Sequence, residues 1–501
     1  MTTAAARGST APLSAIGDTH GVSSPPRIGP GPTASELRSA LEDAARWVAE
    51  YLESVGERPV LAQVEPGEIA ARLPARAPES GQPLPEIMAD IDALIMPGIT
   101  HWNHPAFFAY FGITGSGPGI VGELLAAALN VNAMLWRTSP AATELEQRTL
   151  EWVLDMLGLP PNWFGQITDT ASSSTMYALA AAREAAGLDI RRRGMAGRDD
   201  LPPLRVYTSA EAHSSIEKAC IALGVGQEGL VKVETDNAYR MRPDRLVEAI
   251  ERDVAAGVRP LAVVATVGTT STTSVDPVAA VAEICARHGV WLHVDAAYGG
   301  AAGLLESHRG LLAGCERADS LVFNPHKWLF TPLDCSLLYT AHPQVLRDAF
   351  SVVPFYLTSS ESDVVNLMDY GIALGRRFRA LKLWMVIRAY GRDGLAELVA
   401  GHIELATRLA GLIEAEPGWE LLAPVPLSTV CFRRRPAGLD DEAELERINA
   451  ALVERINAGG EAFVSHTKVG GRYAIRIAIG NAASGWPHVE RAWLALQKGL
   501  S

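Results

Sequence analysis

Between about residue 165 and residue 340 the chain alternates short, continuous apolar runs with longer stretches of helical period. The runs read "LRVYTSA", "GLVKVET", "PLAVVATVGTT", "VWLHVDAA", "SLVFNPH" and "CSLLYTA", and helical patterns such as "DPVAAVAEICARHG" separate several of them. A strand apolar on both faces must be covered on both faces, so this pattern predicts an α/β fold with a mostly parallel sheet between helices. Ligands of such sheets bind beyond the carboxyl ends of the strands.

The flanking segments have other periods. Residues 35–56, "SELRSALEDAARWVAEYLESVG", place Leu37, Leu41, Ala45, Val48 and Leu52 on one helical stripe, which needs a core or a second subunit to lie on. The cluster at 112–119 reads as a tight irregular loop, and "TELEQRTLEWVLDMLGLP" as a helix stopped by Gly158 and Pro160. Residues 341–365 hold no long period, and 366–391 read as one basic and apolar helix. The last hundred or so residues mix helices with strands such as "STVCFRRRP" and "YAIRIAIGN", a smaller α+β domain. The expected division is a flexible arm over 1–34, a helical segment over 35–105, a large domain over 106–391 and a small domain over 392–501.

Charge and cysteine content narrow the function. With 44 Lys and Arg against 57 Asp and Glu, a net charge of -13 disfavours nucleic acid or an anionic membrane as the main partner. The five cysteines, Cys220, Cys285, Cys315, Cys335 and Cys431, form no pair or cluster, so neither a disulfide scaffold nor a metal site is expected and a reducing cytoplasm is. The first 33 residues lack an unbroken apolar stretch, and no segment reaches the ~20 apolar residues of a membrane span.

Three features of the α/β segment then ask for a common explanation. "WLHVDAAYGG" ends an apolar run on Asp295, which is either a cap or a carboxylate with a partner. "NPHKW" ends the next run on Lys327, which either snorkels to water or is a desolvated amine able to attack a carbonyl. "TDTASSSTMYALAAAREA" passes from small hydroxyl residues into a helix, where Thr170 and Ser172 either cap the helix or help its N–H groups hold a phosphate. No glycine-rich nucleotide motif stands in the required context. A cofactor with a phosphate, a basic ring nitrogen and an aldehyde would use all three features, and pyridoxal phosphate has those parts.

In order, "FFAYF", "SPAATELE", "AHSSIEKA", "VGTTSTTSVDP", "WLHVDAAYGG", "NPHKW" and "LGRRFRALKLW" resemble the aromatic-L-amino-acid decarboxylases, group II pyridoxal-phosphate enzymes of the aspartate-aminotransferase-like fold. The likeness runs from about residue 35 to the C-terminus and implies a seven-stranded large domain, a homodimer with a shared site and an amino-acid substrate. It implies that Lys327 holds the cofactor covalently, that Asp295 pairs with its ring nitrogen and that His213 stacks on the ring. Ala171, Ser172 and Asn324 match the phosphate contacts, Thr270 a threonine near the cofactor, Ala297 a residue against the ring, and His326 the neighbour of the lysine. Tyr356 in "VPFYLTS", beside Phe355, matches a tyrosine that reaches the partner's site on a mobile loop and returns a proton to Cα; related aldehyde synthases carry phenylalanine there.

The implied substrate pocket comprises Trp102, Tyr110, Phe111, Gly112, Ile113, Asn132 and Met134. Gly112 and Ile113 stand where the animal enzymes have proline and threonine, and Asn132 and Met134 where they have isoleucine and phenylalanine. Ser173 replaces a common acidic residue. The expected reaction is decarboxylation of tyrosine, tryptophan or a hydroxylated relative to the amine. Oxidative conversion to an aldehyde is the first alternative, and decarboxylation of an acidic amino acid, read through Arg137 or Arg379, the second.

Overall fold

A computed structural model of the chain describes residues 31–352 and 364–498. It contains two compact bodies. One comprises the described part of residues 1–50 together with 66–96, and the other comprises 51–65 and the described residues from 97 onward. The helix Ala34–Ser54 begins in the first body, where the Trp47 indole donates to Asp92 Oδ1 at 2.9 Å.

The second body holds two sheets. The larger has β1 (Phe164–Thr168), β2 (Leu204–Ser209), β3 (Leu230–Val233), β4 (Arg259–Thr266), β5 (Trp291–Asp295), β6 (Ser320–Phe323) and β7 (Ser336–Thr340), in the spatial order β1-β7-β6-β5-β4-β2-β3. Only β7 runs against its neighbours; the pairs β2–β3, β2–β4, β4–β5 and β5–β6 are parallel. Six of these strands are the apolar runs read from the sequence, and β1 is an addition. The second sheet is antiparallel, with β8 (Trp419–Leu421), β9 (Thr429–Arg434), β10 (Ser465–Val469) and β11 (Arg472–Ala478) in the order β10-β11-β9-β8.

Three local expectations need correction. The irregular loop at 112–119 is shorter than expected, because the helix Gly117–Leu129 already begins inside it. Residues 341–365 are not one loop, since Pro343–Phe350 form a helix whose Leu346 is buried. Residues 366–391 are not one helix either. A short turn spans Leu367–Tyr370, and the long helix starts at Ala380 and runs to Ala415 with a break at Gly391 (φ 66°). The reason is Arg376, whose buried guanidinium bonds Glu146 at 2.7 Å and the carbonyl oxygens of Ala133 and Ile167, so the segment before residue 380 is pinned to other elements.

The core divides along that long helix. Leu395 and Val399 pack in the core of the larger sheet, whereas Ala406 and Leu409 pack in the core of the smaller one, together with Ala106–Ala109. The change of core falls between Val399 and Ala406, within one compact body. Gly122 lets the helix Gly117–Leu129 cross the long helix closely, because a Cβ there would meet Lys382 Cα at 2.5 Å. Among the described residues no helix is long and apolar enough to cross a membrane.

Three histidines, His293, His326 and His402, are 0, 4 and 2% exposed. Burial pushes them down to about 4, 3 and 4. Each is neutral in the fold but titrates near 6.5 when unfolded, so between about pH 6.5 and 4 the unfolded chain binds more protons. Stability therefore falls with falling pH in that window, by up to ~1.4 kcal/mol per pH unit for each histidine. The thermal midpoint is expected to drop steadily from pH 7 to pH 5; a flat profile there would contradict the burial of neutral imidazoles.

Candidate active site

The site is assembled by strand register. Asp295, the last residue of β5, pairs with Thr266 at the end of β4 and with Val322 in β6. Two residues beyond Val322, Asn324 caps the short helix Pro325–Trp328, whose third residue is Lys327. Asn324 N–H bonds the Ala297 carbonyl at 3.2 Å, Lys327 N–H bonds the Asn324 carbonyl at 3.0 Å, and Ala297 N–H bonds Asp295 Oδ1 at 3.1 Å. Backbone bonds thus tie the carboxylate and the amine to one edge of the sheet.

The carboxylate, 6% exposed, sits beside a depressed lysine. Burial lowers the Lys327 pKa, the Asp295 carboxylate opposes that shift, and the Arg476 guanidinium adds to it. Burial and Lys327 likewise lower His213 against the pull of Asp295, which brings the imidazole into the same electrostatic group. His213 Nδ1 accepts from Ser215 N–H at 3.1 Å, so the neutral ring carries its proton on Nε2. His213 taken as a whole residue is exposed in the single chain, while the Nδ1 side of its ring is part-buried against Ser215. His326 Nδ1 accepts from Cys335 N–H at 2.9 Å, which makes it a structural neighbour of the lysine.

An aromatic stack supports the amine. Phe111 lies under Lys327 Nζ, 5.4 Å from its ring centre, and stacks on Tyr298 at 3.8 Å, which stacks on Trp328 at 4.6 Å. Trp328 Nε1–H donates to His402 Nδ1 (3.0 Å), whose Nε2–H donates to the Asn481 carbonyl (2.9 Å). Arg476 of β11 covers Phe111, with Cζ 4.6 Å from the ring centre. It bonds the carbonyls of Ser271 (3.0 Å) and Tyr110, yet its Nη2 is buried with no partner among the described residues. A buried, half-used guanidinium is an anion-binding point. Sequence reading missed Arg476, although "YAIRIAIGN" carries it inside an apolar run as "NPHKWLF" carries Lys327.

The opposite side of the edge suits a phosphate. Thr168 at the end of β1 pairs with Ser336 of β7, and continuing the β6–β7 register by one residue puts Asn324 level with Ser336. Thr168 and Ser336 both bond Ser174 Oγ, at 2.7 and 3.0 Å. Next to this row starts the helix Ala171–Ala185, whose N-cap Thr170 makes no side-chain cap bond, so its first N–H groups are left for a ligand. Asn324 Oδ1 is buried without a partner among the described residues, and the side-chain amide can turn either end toward a ligand. Ala171 is half-buried and Ser172 exposed at the helix start; Thr270 is exposed on the turn after β4.

The expected pocket residues fall into two neighbourhoods. Trp102 (36% exposed) and Tyr110 (55%) stack at 6.0 Å and form an aromatic shelf with Phe463, next to Phe111. Tyr110 is held at φ 55°, an unusual geometry for a non-glycine residue. Gly112 and Ile113 follow, and Thr114 Oγ1 reaches the Lys327 carbonyl at 3.4 Å. Asn132 and Met134 stand elsewhere: Asn132 Oδ1 accepts from Arg376 N–H at 2.9 Å, and Met134 packs on Leu135 and Met368. Ser173 lines a cavity of about 210 Å³ with Asp169 and Arg379. Arg379 is engaged by Asp334 at 2.7 Å, and Arg137 is exposed. Tyr356 lies outside the described residues.

Residues 66–435 match the pyridoxal-dependent decarboxylase conserved domain. The chain belongs to that family. It is therefore a pyridoxal-phosphate-dependent amino-acid decarboxylase with the aspartate-aminotransferase-like fold. It is 39% identical to phenylacetaldehyde synthase of Arabidopsis thaliana, over 93% of this chain and 96% of that one. It is 40% identical to tyrosine decarboxylase 4 of Petroselinum crispum, over 90% of each. The crystal structure of Oryza sativa TDC with PLP and tryptamine superposes with a TM-score of 0.90 at 38% identity, covering 94% of this decarboxylase and 99% of that chain.

Proposed function

We propose that this decarboxylase converts an aromatic L-amino acid, tyrosine, tryptophan or a hydroxylated relative, to the arylalkylamine and carbon dioxide, as a cytoplasmic homodimer with a shared site. The observation that carries the reading is the depressed lysine on an aromatic stack, between a buried carboxylate and the half-used Arg476, with an open aromatic shelf beside it. When bound, pyridoxal phosphate supplies an aldehyde for an amine and a cationic ring that accepts electrons from Cα.

The residues divide the remaining work. Lys327, its amine favoured in the neutral form by burial, holds the cofactor and gives way to the substrate. Asp295 keeps the ring nitrogen protonated, His213 covers the ring, and Ala297 lies against it. Ala171, Ser172 and Asn324 take the phosphate, with Thr270 and His326 adjoining. Arg476 Nη2 holds the substrate carboxylate, and Trp102, Tyr110, Phe111, Gly112 and Ile113 receive the aromatic side chain. Tyr356 delivers the proton to Cα after carbon dioxide leaves.

The second subunit is supported by an unpaired apolar stripe on the helix Gly117–Leu129, where Val121, Leu124, Leu125 and Leu129 are each 45% or more exposed. Such a patch on a large chain needs a cover. A contribution of Asn132 and Met134 to the pocket requires that subunit, because within one chain they pack with Arg376, Leu135 and Met368.

The test is a product-resolved incubation of the cofactor-loaded protein with tyrosine, tryptophan, phenylalanine and glutamate. Amine and carbon dioxide in equal amounts from an aromatic substrate are expected. Aldehyde and ammonia in place of amine would transfer the chain to the aldehyde-forming reaction, and amine from glutamate alone would overturn the substrate class. Arg476→Lys keeps a charge but loses the fork, and is expected to raise KM for the amino acid at least about tenfold with a smaller effect on kcat. An unchanged KM would remove Arg476 from substrate binding.

A further inference from the structure

We propose that the chain carries a second small-molecule site at the opposite edge of the seven-stranded sheet, built for an organic anion with a carboxylate or phosphate head on a small apolar body. A cavity of about 380 Å³ opens where β4 and β5 begin, within the size range of ligand pockets. Trp291, the first residue of β5, lines it, and Asp295 ends the same strand. At about 3.3 Å per residue the two stand roughly 13 Å apart, so the cavity is separate from the cofactor edge.

Its charge is positive where a ligand would meet it. Arg259 and Arg317 both line the cavity, and the one acid among the lining residues is already engaged. That acid, Asp319, accepts Leu292 N–H at 2.7 Å and lies 2.8 Å from His342 Nε2. Among the described residues Arg259 has no ion pair, and Arg317 has one 3.7 Å contact, to Glu283, which is 66% exposed. An exposed contact of that length holds a guanidinium weakly. The helix Val278–His288 ends at the cavity, where its Cys285 carbonyl accepts from Gly289 and Val290 N–H.

The remaining wall is apolar and fixed. The Trp291 indole is oriented by its bond to Ser320 Oγ at 2.9 Å, and alanines, Leu261, Val290 and Val345 are among the apolar lining residues. Two arginines and an anchored indole lining one cavity match an anionic head on an apolar body better than a free inorganic ion, which would leave the apolar wall wet.

Equilibrium dialysis of the cofactor-loaded full chain tests the site, with phenyl phosphate and benzoate as probes, inorganic phosphate and formate as their separate heads and phenol as the separate ring. At least one whole probe is expected to bind with a Kd below about 1 mM and more tightly than its head or the ring alone. Arg259→Gln combined with Arg317→Gln is expected to weaken it at least about tenfold while leaving the cofactor's visible band and the decarboxylation rate unchanged, because both side chains are exposed. Saturating tyramine or tryptamine is expected to leave probe binding unchanged. Absence of binding, equal binding by the double variant, or displacement by the amine would each overturn the proposal. A single charge reversal, Arg259→Glu, gives the same readout if the double variant is unstable.

Discussion

Replacing Lys327 with alanine is expected to lower the rate of amine formation by at least about 10³-fold while leaving the fold intact. The amine is the group placed to bond an aldehyde, and burial already favours its neutral form. The other buried lysine among the described residues, Lys382, is engaged by Glu123. The substitution removes a buried amine whose charged form burial disfavours, so the thermal midpoint of the cofactor-free protein is expected to change little. The proposed phosphate contacts at Ala171, Ser172 and Asn324 are expected to retain some cofactor, but with the absorbance of the free aldehyde. A variant that kept a tenth of wild-type turnover would show that another group performs the exchange.

Asp295→Asn carries the second large effect. The amide fills the same space and keeps an oxygen for Ala297 N–H, so the turn after β5 should persist. What it loses is the negative charge proposed to face the ring nitrogen. Removing one preorganised electrostatic partner costs about 10²–10³ in kcat. A second consequence has a fixed sign: the carboxylate raises the Lys327 pKa against burial, so its removal moves that pKa further down. In the cofactor-free protein the pH dependence of Lys327 acylation is expected to shift to lower pH in Asp295→Asn, and a shift to higher pH would contradict the pairing.

The sheet and its catalytic edge were legible because they rest on long apolar runs and on charged residues standing where such runs end. Asp295 and Lys327 stand out by that rule, which leaves each open between a structural and a chemical role until the family motifs are added. β1 was not, because "FGQIT" is short and holds Gly165 and Gln166, the latter buried and tied to the Tyr370 carbonyl. The segment before Ala380 misled because Arg376 reads as a surface cation, while a partner 230 residues away in sequence, Glu146, buries it. Arg476 escaped for a related reason: in an alternating strand a cation usually faces water, and only the crossing of β11 over Phe111 turns this one inward. Asn132 and Met134 show the reverse limit, since a position matched by motif says nothing about which chain's site it serves.

The central claim is that Lys327 is the amine that holds the cofactor. Borohydride reduction of the cofactor-loaded protein, followed by digestion and mass spectrometry, locates the pyridoxyl group directly. The account predicts one modified peptide, spanning "NPHKW", with the label on Lys327; the same label on any other lysine would contradict it.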